Sequence, residues 1–147
     1  MMVPVEKPPF LYHGSRYELR IIEPRQAFGS PEEHGAECGV YAYPGYEMAL
    51  PFALTIEPFG NGSMAIYIDD ETGHVTISAG TLDENAPGFV YRVPSDAFEP
   101  LDGRQWLARV PVVPVEVFRV RSQDYMDKVT FTGAALAARV QTGCARA

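Results

Sequence analysis

Phe10-Leu11-Tyr12-His13-Gly14-Ser15 is the stretch from which the chain is read. An apolar run that fits a short buried strand stops at His-Gly-Ser. A side chain able to donate or accept near neutral pH therefore sits beside a glycine whose backbone can be approached closely. That arrangement grips a small polar ligand at a strand end. A histidine before a Gly-Ser turn is also an ordinary loop feature, so the reading needs further residues to join it.

Outward from this stretch, Leu19, Ile21 and Ile22 precede Pro24, which halts any helix and leaves an extended or single-turn segment over Glu18–Pro24. Phe28–Cys38 is polar, lacks periodicity and reads as a loop. Gly39-Val40-Tyr41-Ala42-Tyr43 restores a short strand. Pro44-Gly45 then opens a segment with Tyr46, Ala49, Leu50 and Ala53 at helical spacing, which Pro51 kinks. Ala65–Asp69 and His74–Ser78 alternate apolar and polar residues across Asp70-Glu71-Thr72-Gly73, the signature of a hairpin. Gly88–Val93, Gln105–Val110 and Val112–Val120 are further strands, with Pro111 and Pro114 marking an edge, a bulge or a register break. Alanine-rich 134–141 forms a short C-terminal helix. The sum is an α+β fold: a single domain over 1–147 with its core in about 10–120, built on a mostly antiparallel, split sheet with few short helices.

A chain of 147 residues, 46% hydrophobic and 12% aromatic, holds one real core, and its 13 glycines and 13 prolines lie among apolar runs as turn residues. A net charge of -7 argues against a protein that lives on nucleic-acid backbone, which needs a basic face. Cys38 and Cys144 are far apart and lack Cys-x-x-Cys spacing, so neither a disulfide nor a zinc site is expected. His34 and Cys38 have i, i+4 spacing, but Gly35 and Gly39 favour a loop and no further ligand is near, so no metal is expected there. No run approaches signal or membrane-span length; a cytoplasmic protein with no membrane partner is the expectation.

With these landmarks placed, residues 10–120 resemble the ADP-ribosyltransferase superfamily in its diphtheria-toxin and poly(ADP-ribose)-polymerase branch. The resemblance rests on order and spacing. His13-Gly14-Ser15 matches the family's His-Gly-Ser/Thr strand end, and Gly39-Val40-Tyr41-Ala42 its Gly-Ile-Tyr-Phe-Ala-like strand. Phe52 stands 11 positions after Tyr41, where the second aromatic falls, and Gln105-Trp106 stands where a late Glu-Tyr strand start falls. The resemblance implies NAD as co-substrate, held between sheet halves. His13 would hold the nicotinamide-side ribose, the Gly14 backbone the carboxamide, and Tyr41 and Phe52 the two faces of the nicotinamide, with Ser15 and Ala42 beside them. It implies His13, Tyr41 and Gln105 as the catalytic set.

The chain departs from the family at Gln105, where active members carry glutamate. A neutral amide still hydrogen-bonds a hydroxyl but gives little Coulombic help to a developing cation. Glu116 and Asp102 are alternative carboxylates, although a strand position and a turn position explain them equally. Arg16, Arg20 and Arg25 follow the His-Gly-Ser turn and suit a pyrophosphate, or equally a solvated surface. Tyr41 and Phe52 also read as core packing. Two functions therefore stand: a mono-ADP-ribosyltransferase-like enzyme cleaving the nicotinamide–ribose bond of NAD for an unknown acceptor (protein, nucleic acid or small molecule), or a module that binds NAD or ADP-ribose without turnover. A structural interaction domain is the third possibility.

Overall fold

In the computed structural model, which describes residues 7–26, 38–69, 71–102 and 104–146, the fold is built on the strand Pro87–Pro94. In chain order the strands are β1 Phe10–Ser15, β2 Arg25–Gln26, β3 Cys38–Ala42, β4 Ile56–Glu57, β5 Ala65–Ile68 and β6 Val75–Ala79. They continue with β7 Thr81–Leu82, β8 Pro87–Pro94, β9 Phe98–Asp102, β10 Gln105–Ala108, β11 Glu116–Arg121 and β12 Val129–Phe131. The α-helices are α1 Tyr46–Ala49 and α2 Gly133–Arg146, and 3-10 helices cover Leu50–Ala53 and Ser122–Lys128.

β8 is apolar on both faces, which suits a strand covered on both sides. It pairs antiparallel with β1 and β11, placing His13 opposite Tyr91 and Val117 opposite the same tyrosine. Phe89, Tyr91 and Val93 enter one core with Leu11, Val40 and Trp106, while Val90 enters a second with Tyr43 and Leu50. A second sheet runs β2-β3-β10-β9. The two sheets are stitched by reciprocal backbone bonds between Tyr12 and Tyr43 (2.7 and 2.8 Å) and between Ile22 and Val112 (2.8 and 3.0 Å). The mostly strand, α+β architecture and the divided sheet follow the sequence reading. A third sheet, β12-β6-β5, carries the hairpin read over 65–78, extended by a parallel pairing of β12 to β6.

Proline explains where the boundaries differ from expectation. The expected strand Val112–Val120 is shorter: Val112 makes only its bridge to Ile22, and β11 begins at Glu116, because Pro111 and Pro114 have no N–H to give a ladder. The expected Gln105–Val110 ends at Ala108, where its ladders with Val40 and Phe98 end. Pro51 divides the segment after Gly45 into one α turn and one 3-10 turn. β9 was not anticipated, since Pro100 lies inside it. It is tolerated because β9 is an edge strand, paired with β10 across a bulge at Gln105/Trp106. The C-terminal helix is longer than 134–141 and buries Ala135 against Val75 and Ile77. Most of the loop expected over Phe28–Cys38 lies outside the described residues, while Cys38 itself opens β3 as an exposed free thiol. No described helix is long and apolar enough to cross a membrane.

Candidate functional site

Strand alternation decides which side chains of β1 and β3 meet. Val40 and Ala42 of β3 enter the first core, alternation turns Tyr41 to the opposite face, and Tyr43, directly after the strand, enters the second core. The register of β3 with β10 sets Leu107 across from Tyr41 and Trp106 across from Ala42, and just beyond that pair Gln105 reaches Tyr43. The amide Nε2 of Gln105 donates to the Tyr43 hydroxyl at 2.9 Å. Tyr43 is only 5% exposed, and its ring stacks on Phe52 with centroids 5.4 Å apart and planes 14° from parallel.

His13 approaches from β1. Its Nδ1 lies 2.7 Å from the Tyr41 carbonyl oxygen, which only accepts, so Nδ1 carries the hydrogen. The imidazole also lies beside Tyr91, at 6.4 Å between centroids. Gly14 is required by close approach: a Cβ there would collide with the Ala49 carbonyl oxygen and meet the Phe52 Cβ at 3.0 Å. The absence of a side chain lets α1 and the following 3-10 turn press onto the end of β1, carrying Phe52 to the same place. His13, Gly14, Tyr41, Tyr43, Phe52 and Gln105 are thus drawn together from four segments. No family model, curated protein or solved structure matches the chain.

Several expected roles change. Phe52 stacks on the ring of Tyr43, a residue outside the expected site set. Ala42 is fully buried and offers a ligand no side-chain surface. Ser15 Oγ accepts from the Tyr17 N–H at 3.0 Å, closing a local turn. Arg16 is paired with Glu57 at 2.8 Å and Arg20 is exposed. The backbone of Arg25 pairs with Gly39. Glu116 meets Arg92 at 3.2 Å on the β8–β11 pair, and Asp102 is the register partner of Gln105. His34 lies outside the described residues, among which no three His, Cys, Asp or Glu gather as a metal site.

The residue that sequence reading missed is Tyr43. Its signal was present, since Tyr41-Ala42-Tyr43 on a strand puts two rings on one side. What the site offers chemically is an imidazole, a carboxamide and a phenol beside stacked rings, with no formal charge at Gln105.

Proposed function

We propose that the chain is an ADP-ribosyltransferase-like protein that binds NAD and cleaves its nicotinamide–ribose bond, passing ADP-ribose to an acceptor. The observation that carries this reading is the convergence of His13 on Tyr41 with Gln105 and Phe52 on Tyr43. The four segments that the family resemblance singled out, far apart in sequence, supply these groups together with Tyr43, which directly follows one of them. In this reading His13 holds the nicotinamide-side ribose, and Tyr41 with the Phe52–Tyr43 stack supplies aromatic faces. A flat cationic ring gains about 0.5 to 2 kcal/mol from such faces.

The C–N glycosidic bond breaks with its electron pair passing to the ring nitrogen, which neutralises the pyridinium and leaves positive charge on the ribose. The acceptor then attacks that carbon and gives up a proton. Gln105 orients a ribose hydroxyl but adds no charge to this step. A second reading, an NAD-binding module without turnover, is favoured by that neutrality alone.

Release of free nicotinamide from NAD tests the choice. Slow release by the native chain, raised about a hundred- to a thousandfold by Gln105→Glu, is expected, since one electrostatic contact at a developing charge is worth about 3 to 4 kcal/mol. NAD binding without release in either protein identifies the module. Absence of binding rejects both.

A further inference from the structure

We infer that Tyr43 is a positioning residue that fixes which end of the Gln105 carboxamide meets the substrate, turning its carbonyl oxygen toward a neutral hydroxyl donor. The inference rests on the NAD reading for the identity of that donor, a ribose hydroxyl. A carboxamide has one donating and one accepting end, and a half-turn about its last bond exchanges them. Here Nε2 is tied to the Tyr43 hydroxyl at 2.9 Å, and Oε1 has no partner among the described residues.

The anchor is itself immobile. The Tyr43 ring is 5% exposed and stacked on Phe52, and its backbone exchanges both hydrogen bonds with Tyr12. Gln105 sits at the bulge that begins β10, where its backbone alone does not dictate the amide's orientation. A glutamate at this position would have two equivalent accepting oxygens and would need no such anchor. Tyr43 and Gln105 therefore act as a unit, in which the phenol supplies the asymmetry that the amide requires.

The test compares the affinities of NAD and of an NAD analogue lacking the 2′-hydroxyl of the nicotinamide-side ribose. The native chain is expected to prefer NAD by about tenfold, the worth of one well-made hydrogen bond. Tyr43→Phe keeps the ring and its stack, and is expected to reduce the preference to about twofold. In the Gln105→Glu background, Tyr43→Phe should leave the preference unchanged, an asymmetry that a merely structural role would not produce. An equal effect in both backgrounds, or none in either, overturns the inference while leaving NAD binding standing. Failure of the native chain to bind NAD overturns both. A measurement on the native chain guards against a Tyr43→Phe protein that does not fold: nuclear Overhauser contacts between the Gln105 side-chain amide protons and the Tyr43 ring should persist when NAD is bound. Their disappearance on binding overturns the inference.

Discussion

The Nδ1 of His13 stands 2.7 Å from the carbonyl oxygen of Tyr41, 28 residues later in the chain, so one imidazole spans the two sheets beside the Tyr12–Tyr43 stitch. That bond places a hydrogen on Nδ1 and fixes the ring's orientation. It also makes His13 part of the fold, which any test of its function must separate.

His13→Ala is expected to lower stability by about 1 kcal/mol, the net worth of one hydrogen bond, and the melting temperature by about 2 to 5 °C. Thermal unfolding followed by circular dichroism checks this. A loss several times larger would mark His13 as a core residue.

Gly14→Ala is expected to cost more, about 1 to 3 kcal/mol, because the new Cβ meets the Ala49 backbone, which cannot move aside without shifting α1. Urea unfolding of the variant measures it. Native stability in Gly14→Ala would show that α1 does not press on β1 there.

For the aromatic stack, Phe52→Ala is expected to weaken both NAD binding and the fold more than Phe52→Tyr, since tyrosine keeps a ring face against Tyr43. Equal affinity losses in the two variants would mean that the ring face is not what the ligand uses.

Much of this was legible in local pattern. The strand before His-Gly-Ser, the hairpin over 65–78 and the break at Pro51 each follow from alternation or from a missing N–H within a few residues. What local pattern does not encode is register between distant strands. Whether Tyr41 or Tyr43 meets Gln105 depends on Leu107 pairing with Tyr41, and a one-residue slip would reverse every face. β9 was hidden for a related reason, as Pro100 excludes a central strand but not an edge, and edge position is a property of the assembled sheet.

The half-buried Tyr125, on the 3-10 helix Ser122–Lys128, gives the fold an alkaline limit. Burial holds its phenol well above the ordinary value of 10.0, with Tyr46, Glu47 and Asp127 adding to the effect, and burial raises Tyr46 as well. A raised acid favours the protonated form in the folded state. Its stability contribution is complete below the unfolded pKa and is lost as pH climbs from about 10 toward the folded value. Melting temperature should therefore fall with pH in that range, and less steeply in Tyr125→Phe. Equal slopes in the two proteins would show that Tyr125 titrates alike in both states.

The most direct measurement of the central claim is a calorimetric titration of NAD into the native chain and into His13→Ala at a temperature where both are folded. Saturable one-to-one binding by the native chain, weakened about tenfold or more in the variant, is expected from the loss of a positioned hydrogen-bonding group. No binding by the native chain, or equal affinity in both, would contradict an NAD site at His13.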